Sequence, residues 1–237
     1  GNVVPGGAAT QSDPWAVGGS LKVGDSGNGT LNVEAAGLVS NTKGYIGYQS
    51  GSTGEATITG TDSHWNNSGE LYVGVVSNGT LNVEAGGVVS NSTGRIGYHS
   101  GSTGKATVTG SSSQWNNSDR LVVGRSGDGT LNVKAGGMAS NISGYIGRYS
   151  GSTGVVTVTG ANSQWNNSNN LYVGRYGTGT LNVMDGGVVA NLNGHIGEQS
   201  NSIGIATVSG SGSHWNNLGS LSVGTFGGGT LNVTDGG

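Results

Sequence analysis

Arg125, Arg148 and Arg175 recur at intervals of 23 and 27 residues, each directly after a Val-Gly or Ile-Gly pair. Tyr145, Tyr149, Tyr172 and Tyr176 all fall within three residues of one of these arginines. A guanidinium presents two parallel N–H donors to a carboxylate, sulfate or phosphate, and a tyrosine ring adds a stacking face and a hydroxyl. Together these residue types suit an anionic glycan or another extracellular anionic polymer. The competing expectation is that Tyr fills exposed strand positions and Arg serves solubility.

Acids and histidines offer less. Cleavage of a glycosidic bond needs two carboxylates about 5–9.5 Å apart across the bond. Glu34 and Glu84 occupy equivalent positions 50 residues apart, but Lys134 takes the next one. Asp185 and Asp235 are likewise 50 apart, with Gly210 midway. His64, His99, His195 and His214 show no metal-ligand spacing, and His64 and His214 share their slot with Gln114 and Gln164. Only one copy carries an Asp between two glycines, Gly127-Asp128-Gly129, so the calcium-binding nonapeptide repeat is absent. The chain has no Cys, which removes a thiol nucleophile, a disulfide framework and an iron–sulfur cluster. We expect no enzyme, no metal and no cofactor.

What must position the Arg and Tyr residues is a repeat. Gly29-Thr30-Leu31-Asn32-Val33 returns unaltered at 79–83, 129–133, 179–183 and 229–233, five copies at a spacing of 50 residues. Each copy divides again, because Gly79-Thr80-Leu81-Asn82-Val83 aligns with Gly104-Lys105-Ala106-Thr107-Val108 at an offset of 25. A further apolar row, beginning Val23, Ile46, Val73 and Ile96, is always followed by Gly and alternates between spacings of 23 and 27. Three short β-prone segments per half-copy, punctuated by Gly, Asn and Ser, predict one coil of a parallel β-helix. No segment repeats apolar residues at helical spacing. With a rung about every 4.8 Å, roughly nine or ten coils make a rod of about 45 Å, and Glu34 and Glu84 then lie two rungs apart, at the far limit for paired acids.

Residues 1–14, which hold Pro5 and Pro14, the only prolines, read as a degenerate lead-in, and 15–237 as one continuous array. Both ends stop inside the repeat, as expected of a fragment of a longer chain. Glycine fills 51 positions and only 9% of residues are charged, yet apolar residues kept in register over five copies argue against disorder. A net charge of −3 gives no general affinity for nucleic acid or an anionic membrane. No run of some 18 apolar residues is long enough to span a bilayer, so no membrane insertion by this segment is expected.

Large residues change places between half-copies. Leu81 with Ser90 alternates with Ala106 and Trp115, which places Trp65, Trp115, Trp165 and Trp215 inside, each indole N–H needing a partner. At the 25-residue offset, Asn41, Asn66, Asn91, Asn116 and their successors form one stacked turn row. The Gly row at 29, 54, 79, 104 and onward is expected at a corner with positive φ. Asn32, Thr57, Asn82 and Thr107 begin an outward polar ladder.

The phrases Gly51-Ser52-Thr53-Gly54, Trp65-Asn66-Asn67-Ser68, Leu71-Tyr72-Val73-Gly74 and Gly79-Thr80-Leu81-Asn82-Val83 carry a resemblance. The chain resembles, from about Trp15 to its end, the repeat of type V secretion (autotransporter) passenger domains, found also in surface proteins with a PEP-CTERM sorting signal. The resemblance implies a right-handed parallel β-helix exported through the outer membrane to the cell surface. It implies a role as an adhesin, in self-association (autoaggregation) or in biofilm formation, with host or bacterial surface glycans or other copies as partners. The family supplies no catalytic residues to carry over. Two other roles stay open from sequence: a polysaccharide-acting enzyme and a passive spacer. Some passengers of this class are glycosylated. Ser and Thr of loops such as Gly51-Ser52-Thr53 are the expected acceptors, whereas Asn66 and Asn116, placed in the stacked row, are not.

Overall fold

The computed structural model describes residues 2–5 and 14–237. Among them the chain forms only strands, turns and bends, and no helix is long and apolar enough to cross a membrane. One coil is built from Asn28–Glu34, Leu38–Asn41 and Gly44–Ile46; the next from Thr53–Thr59, His64–Asn67 and Leu71–Val73. Each strand lies parallel on its counterpart in the coil before, so the chain is a parallel β-solenoid of about nine coils. Burial alternates along the first strand of the coil, as in the buried–half-buried–buried pattern of Leu81-Asn82-Val83, so the core sits inside the coil and the Asn32/Thr57/Asn82/Thr107 ladder faces outward. Asn2–Pro5 breaks the parallel rule by pairing antiparallel with Asn28–Glu34. The rest of the lead-in, residues 1 and 6–13, lies outside the described residues.

Coils alternate in kind. Leu81 stacks on Ala106, Val89 on Trp115, and Gly94 on Leu121. One coil therefore carries Leu, Val and Gly inside and its neighbour Ala, Trp and Leu, which conserves volume at interior packing density. The exchange is sharper than the sequence suggests: Trp115 lies opposite Val89, and Ser90 opposite Asn116. A Cβ on Gly94 would stand 2.7 Å from the Trp115 ring, so the indole occupies the space that Gly94 vacates. Trp65, Trp115 and Trp165 are fully buried, and Trp215 is partly buried because no following coil of this sequence covers it.

The asparagine row also needs correction. Asn41 stacks on Asn67, Asn91 pairs with Asn117 by hydrogen bond, Asn141 stacks on Asn167 and Asn191 on Asn217. The buried row therefore holds Asn67 and Asn117, while Asn66 and Asn116 point outward. The cause is the turn before the second strand, where Trp coils insert one more residue: Ile58 to Trp65 is seven steps, Val83 to Val89 six. Asp62 and Ala85 take positive φ in the two turn types, 63° and 50°. A one-residue offset moves every side chain to the other face.

In this row each indole N–H donates to the Asn Oδ1 of the coil before, as from Trp115 to Asn91 at 2.7 Å. Asn91 then donates to Asn117 Oδ1 at 2.7 Å, and Asn117 to the Ser140 carbonyl at 3.2 Å. Buried polar groups thus find partners across three coils, and the row fixes the register. The Gly row at 29, 54, 79 and 104 does not adopt positive φ; the glycines after Val or Ile do, Gly97 at 68° and Gly124 at 71°. Gly104 is required instead by close approach, since a Cβ there would meet the Val73 carbonyl oxygen at 2.1 Å.

Candidate ligand-binding stripe

The third strand of each coil, with the Gly corner after it, carries two outward rows. Lys22, Tyr45, Tyr72, Arg95, Val122, Tyr145, Tyr172, His195 and Ser222 pair one to the next down the first row. In the second row, the amides of Tyr48, Val75, Tyr98, Arg125, Arg148, Arg175 and Glu198 bond in turn to the corner glycine carbonyl of the coil before. The positive-φ glycine re-aims the chain at this corner, so both rows lie side by side along the rod. Val122 and Val75 belong to these rows but are covered by their neighbours.

All seven sequence-predicted site residues come together here. Arg125 and Arg148 share the Tyr149 ring, at 5.0 and 5.2 Å from its centroid. Arg148 also lies 4.8 Å from Tyr145, and Arg125 4.3 Å from Tyr98. Arg175 reaches Tyr145, Tyr172 and Tyr176 at 5.1–5.5 Å. Tyr145, Tyr172 and His195 stack nearly parallel, at 4.9 and 4.8 Å. Like charges on successive rungs repel; rings between them, each worth about 0.5–1 kcal/mol per cation contact, offset the cost.

The three arginines are not equivalent. Arg175 Nε donates to Glu198 at 3.0 Å, and although burial alone would lower its pKa, Glu198 outweighs that and raises it. Arg125 and Arg148 have no carboxylate partner among the described residues. Arg148 Nε is buried without a hydrogen-bond acceptor, and burial, then the neighbouring cations Arg120 and Arg175, lower its pKa. A partly desolvated cation without a counter-ion is complementary to an incoming anion.

Sequence reasoning missed Glu70. Its carboxylate accepts the Tyr72 hydroxyl and a 2.7 Å bond from Arg95, and burial, then that hydrogen bond, raise the phenol pKa. Arg95 is thereby neutralised within the stripe. The signal was an acid directly before Leu71; the equivalent Asn170 instead donates to the Tyr172 hydroxyl at 2.9 Å.

The acids considered for catalysis stay apart. Glu84 pairs with Thr59 on one side and Thr109 on the other, and Lys134 follows. Among the described residues no three His, Asp or Glu gather as a metal site. The loop serines Ser52, Ser102, Ser152 and Ser202 are buried, and their hydroxyls donate to backbone carbonyls three residues back. They are therefore not open acceptors for a sugar, whereas Thr53 and Thr103 beside them are exposed. Asn66, in the triplet Asn66-Asn67-Ser68, is exposed as well.

No family model and no curated protein matches the chain. Among solved structures, a TibC-catalysed, hyper-glycosylated TibA fragment is similar at 20% identity, with 96% of this chain and 93% of that chain covered and a TM-score of 0.26.

Proposed function

We infer that this solenoid is a non-catalytic, rigid rod of a bacterial surface protein, and that its Tyr/Arg stripe holds an anionic glycan. One observation carries this reading: Arg125 and Arg148 stand on successive rungs, flanking Tyr149, with no acid among the described residues to neutralise them. A polymer of acidic sugars lying along the rod meets both guanidinia and the Tyr145 and Tyr149 rings at once. Nucleic acid fits less well, because a net charge of −3 opposes a polyanion and few cations are present to neutralise phosphates. Binding surface glycans makes the rod an adhesin, and shared glycan gives cell-to-cell association or biofilm as a consequence. Placement at the cell surface, after export through the outer membrane, rests on the repeat phrases.

The test is adhesion of particles coated with the chain to a polygalacturonate surface. Changing Arg125, Arg148 and Arg175 together to Ser is expected to reduce retention by about tenfold or more, since each charge-assisted hydrogen bond contributes about 1.5–3 kcal/mol. Retention unchanged by the triple substitution, or stronger retention on single-stranded DNA than on polygalacturonate, overturns the reading.

A further inference from the structure

North of the arginine ladder, towards the N-terminus, the same stripe changes character. Along the second row, Tyr48, Val75 and Tyr98 follow one another on three successive rungs. The small central residue leaves a hollow of about 500 Å³ between two tyrosines, floored by Val75 and bounded by Tyr72. Tyr48 and Tyr98 are held steeply across the first row, at 67° to Tyr45 and 84° to Tyr72. Tyr45 and Tyr72 are themselves stacked at 4.9 Å and 16°.

Cations lie over both walls. Lys22, one rung before Tyr48, lies 4.0 Å over that ring, and Arg125, one rung after Tyr98, lies 4.3 Å over the other. Tyr48 and Tyr98 both line the hollow, and their backbones stand two rungs apart, roughly 9.6 Å. Both rings stand steeply to Tyr45 and Tyr72, whose stack runs along the rod, so the hollow is an open aromatic cleft and not a gap between two parallel plates. The polarised C–H groups of a puckered pyranose ring suit the negative faces of the tyrosines. Among the described residues no Lys, Arg, Asp or Glu lines the hollow, while Gln49 and His99 supply polar groups at its rim. Aromatic walls with a few convergent polar groups are the usual make-up of a small-ligand site.

We propose that the Tyr48–Val75–Tyr98 slot is a carbohydrate subsite that takes one uncharged hexopyranose ring in the hollow over Val75, against the Tyr48 and Tyr98 rings. It rests on reading the stripe as a glycan-binding face, and it adds a neutral sugar position a few rungs from the arginine pair. One polymer lying along the rod then meets a stacking subsite first and a charged subsite after it. Val75 is the specificity-determining residue, because its size sets the gap.

The experiment titrates the whole chain by calorimetry with cellohexaose, chitohexaose and maltohexaose, and with tryptophan and adenosine as flat-ring probes. At least one hexaose is expected to bind in the millimolar range or tighter. Val75→Tyr fills the slot and is expected to weaken that binding at least tenfold, as is Tyr98→Ser, which removes a wall; Lys105→Ser with Lys134→Ser, on the first-strand face of the rod, leaves it unchanged. Far-UV circular dichroism confirms that each variant keeps its strands, and Tyr48→Ser replaces any variant that does not. The proposal is overturned if no hexaose binds, if Val75→Tyr and Tyr98→Ser bind as well as the original chain, or if only the flat-ring probes bind. Polygalacturonate binding through Arg125 and Arg148 without hexaose binding overturns the slot alone and leaves the wider reading standing.

Discussion

Trp115→Ala is expected to be among the most damaging single changes in the molecule. The indole is fully buried and fills the space over Gly94, so truncation opens a cavity lined by groups that cannot collapse into it. Loss of a buried Trp costs about 3–5 kcal/mol through transfer and cavity terms together. The Asn91 Oδ1 loses its donor as well, which adds about 1–3 kcal/mol for a buried acceptor left without a partner. Because a solenoid's stability is a sum over coils and their interfaces, the loss falls on the junction of two coils rather than on one residue. Urea unfolding of Trp115→Ala beside Trp115→Phe separates the two effects, since Phe restores most of the volume without the N–H. The Phe variant is expected to recover more than half of the loss. Equal stability of the Ala variant and the original would show that the indole does not hold the coils together.

Gly104→Ala has a comparable effect for a different reason. Its φ is ordinary, yet an added Cβ would stand 2.1 Å from the Val73 carbonyl oxygen and 2.5 Å from the Gly97 nitrogen. Both contacts are with backbone, at the end of the coil two before and at the corner that closes the preceding coil, so no side chain can rotate away. Overpacking of this kind costs about 3 kcal/mol or more, at or beyond the usual range. Gly51 is the internal control: its φ is 77° and nothing lies near its Cβ position. Gly51→Ala is therefore expected to cost only the left-handed conformation, about 1–2 kcal/mol. Chemical denaturation of the two variants checks the order, and a larger loss at Gly51 would contradict the close-approach account.

These two residues also show what the sequence could and could not reveal. The 25-residue offset identifies the coil, the three strands and the inward apolar rows, because backbone pairing forces equal residues into equal places. It cannot reveal that the first turn is one residue longer in alternate coils, so Asn67 rather than Asn66 enters the buried row. Gly104 recurs in register either for φ or for space, and repetition alone does not say which. The two stripe rows were legible in full, since the alternation of 23 and 27 residues carries them past each corner. What stayed hidden was the pairing between side chains. Glu198 neutralises Arg175, and Glu70 neutralises Arg95, through contacts between coils that a one-dimensional reading treats as separate surface charges. The same blindness left out Tyr48 and Tyr98, whose significance lies in the small Val75 between them.

The central claim is that a localised pair of guanidinia, and not overall charge, holds the acidic glycan. It is tested most directly by the affinity for polygalacturonate, at one fixed salt concentration, of two variants with equal loss of positive charge. Arg125→Ser with Arg148→Ser removes the guanidinium pair without an acid partner from the stripe; Lys105→Ser with Lys134→Ser removes two exposed cations from the ladder face of the rod. The stripe variant is expected to bind about tenfold more weakly or worse, a change of about 1.4 kcal/mol or more, and the ladder-face variant to bind like the original chain. Equal weakening in both variants, or none in either, would contradict the claim.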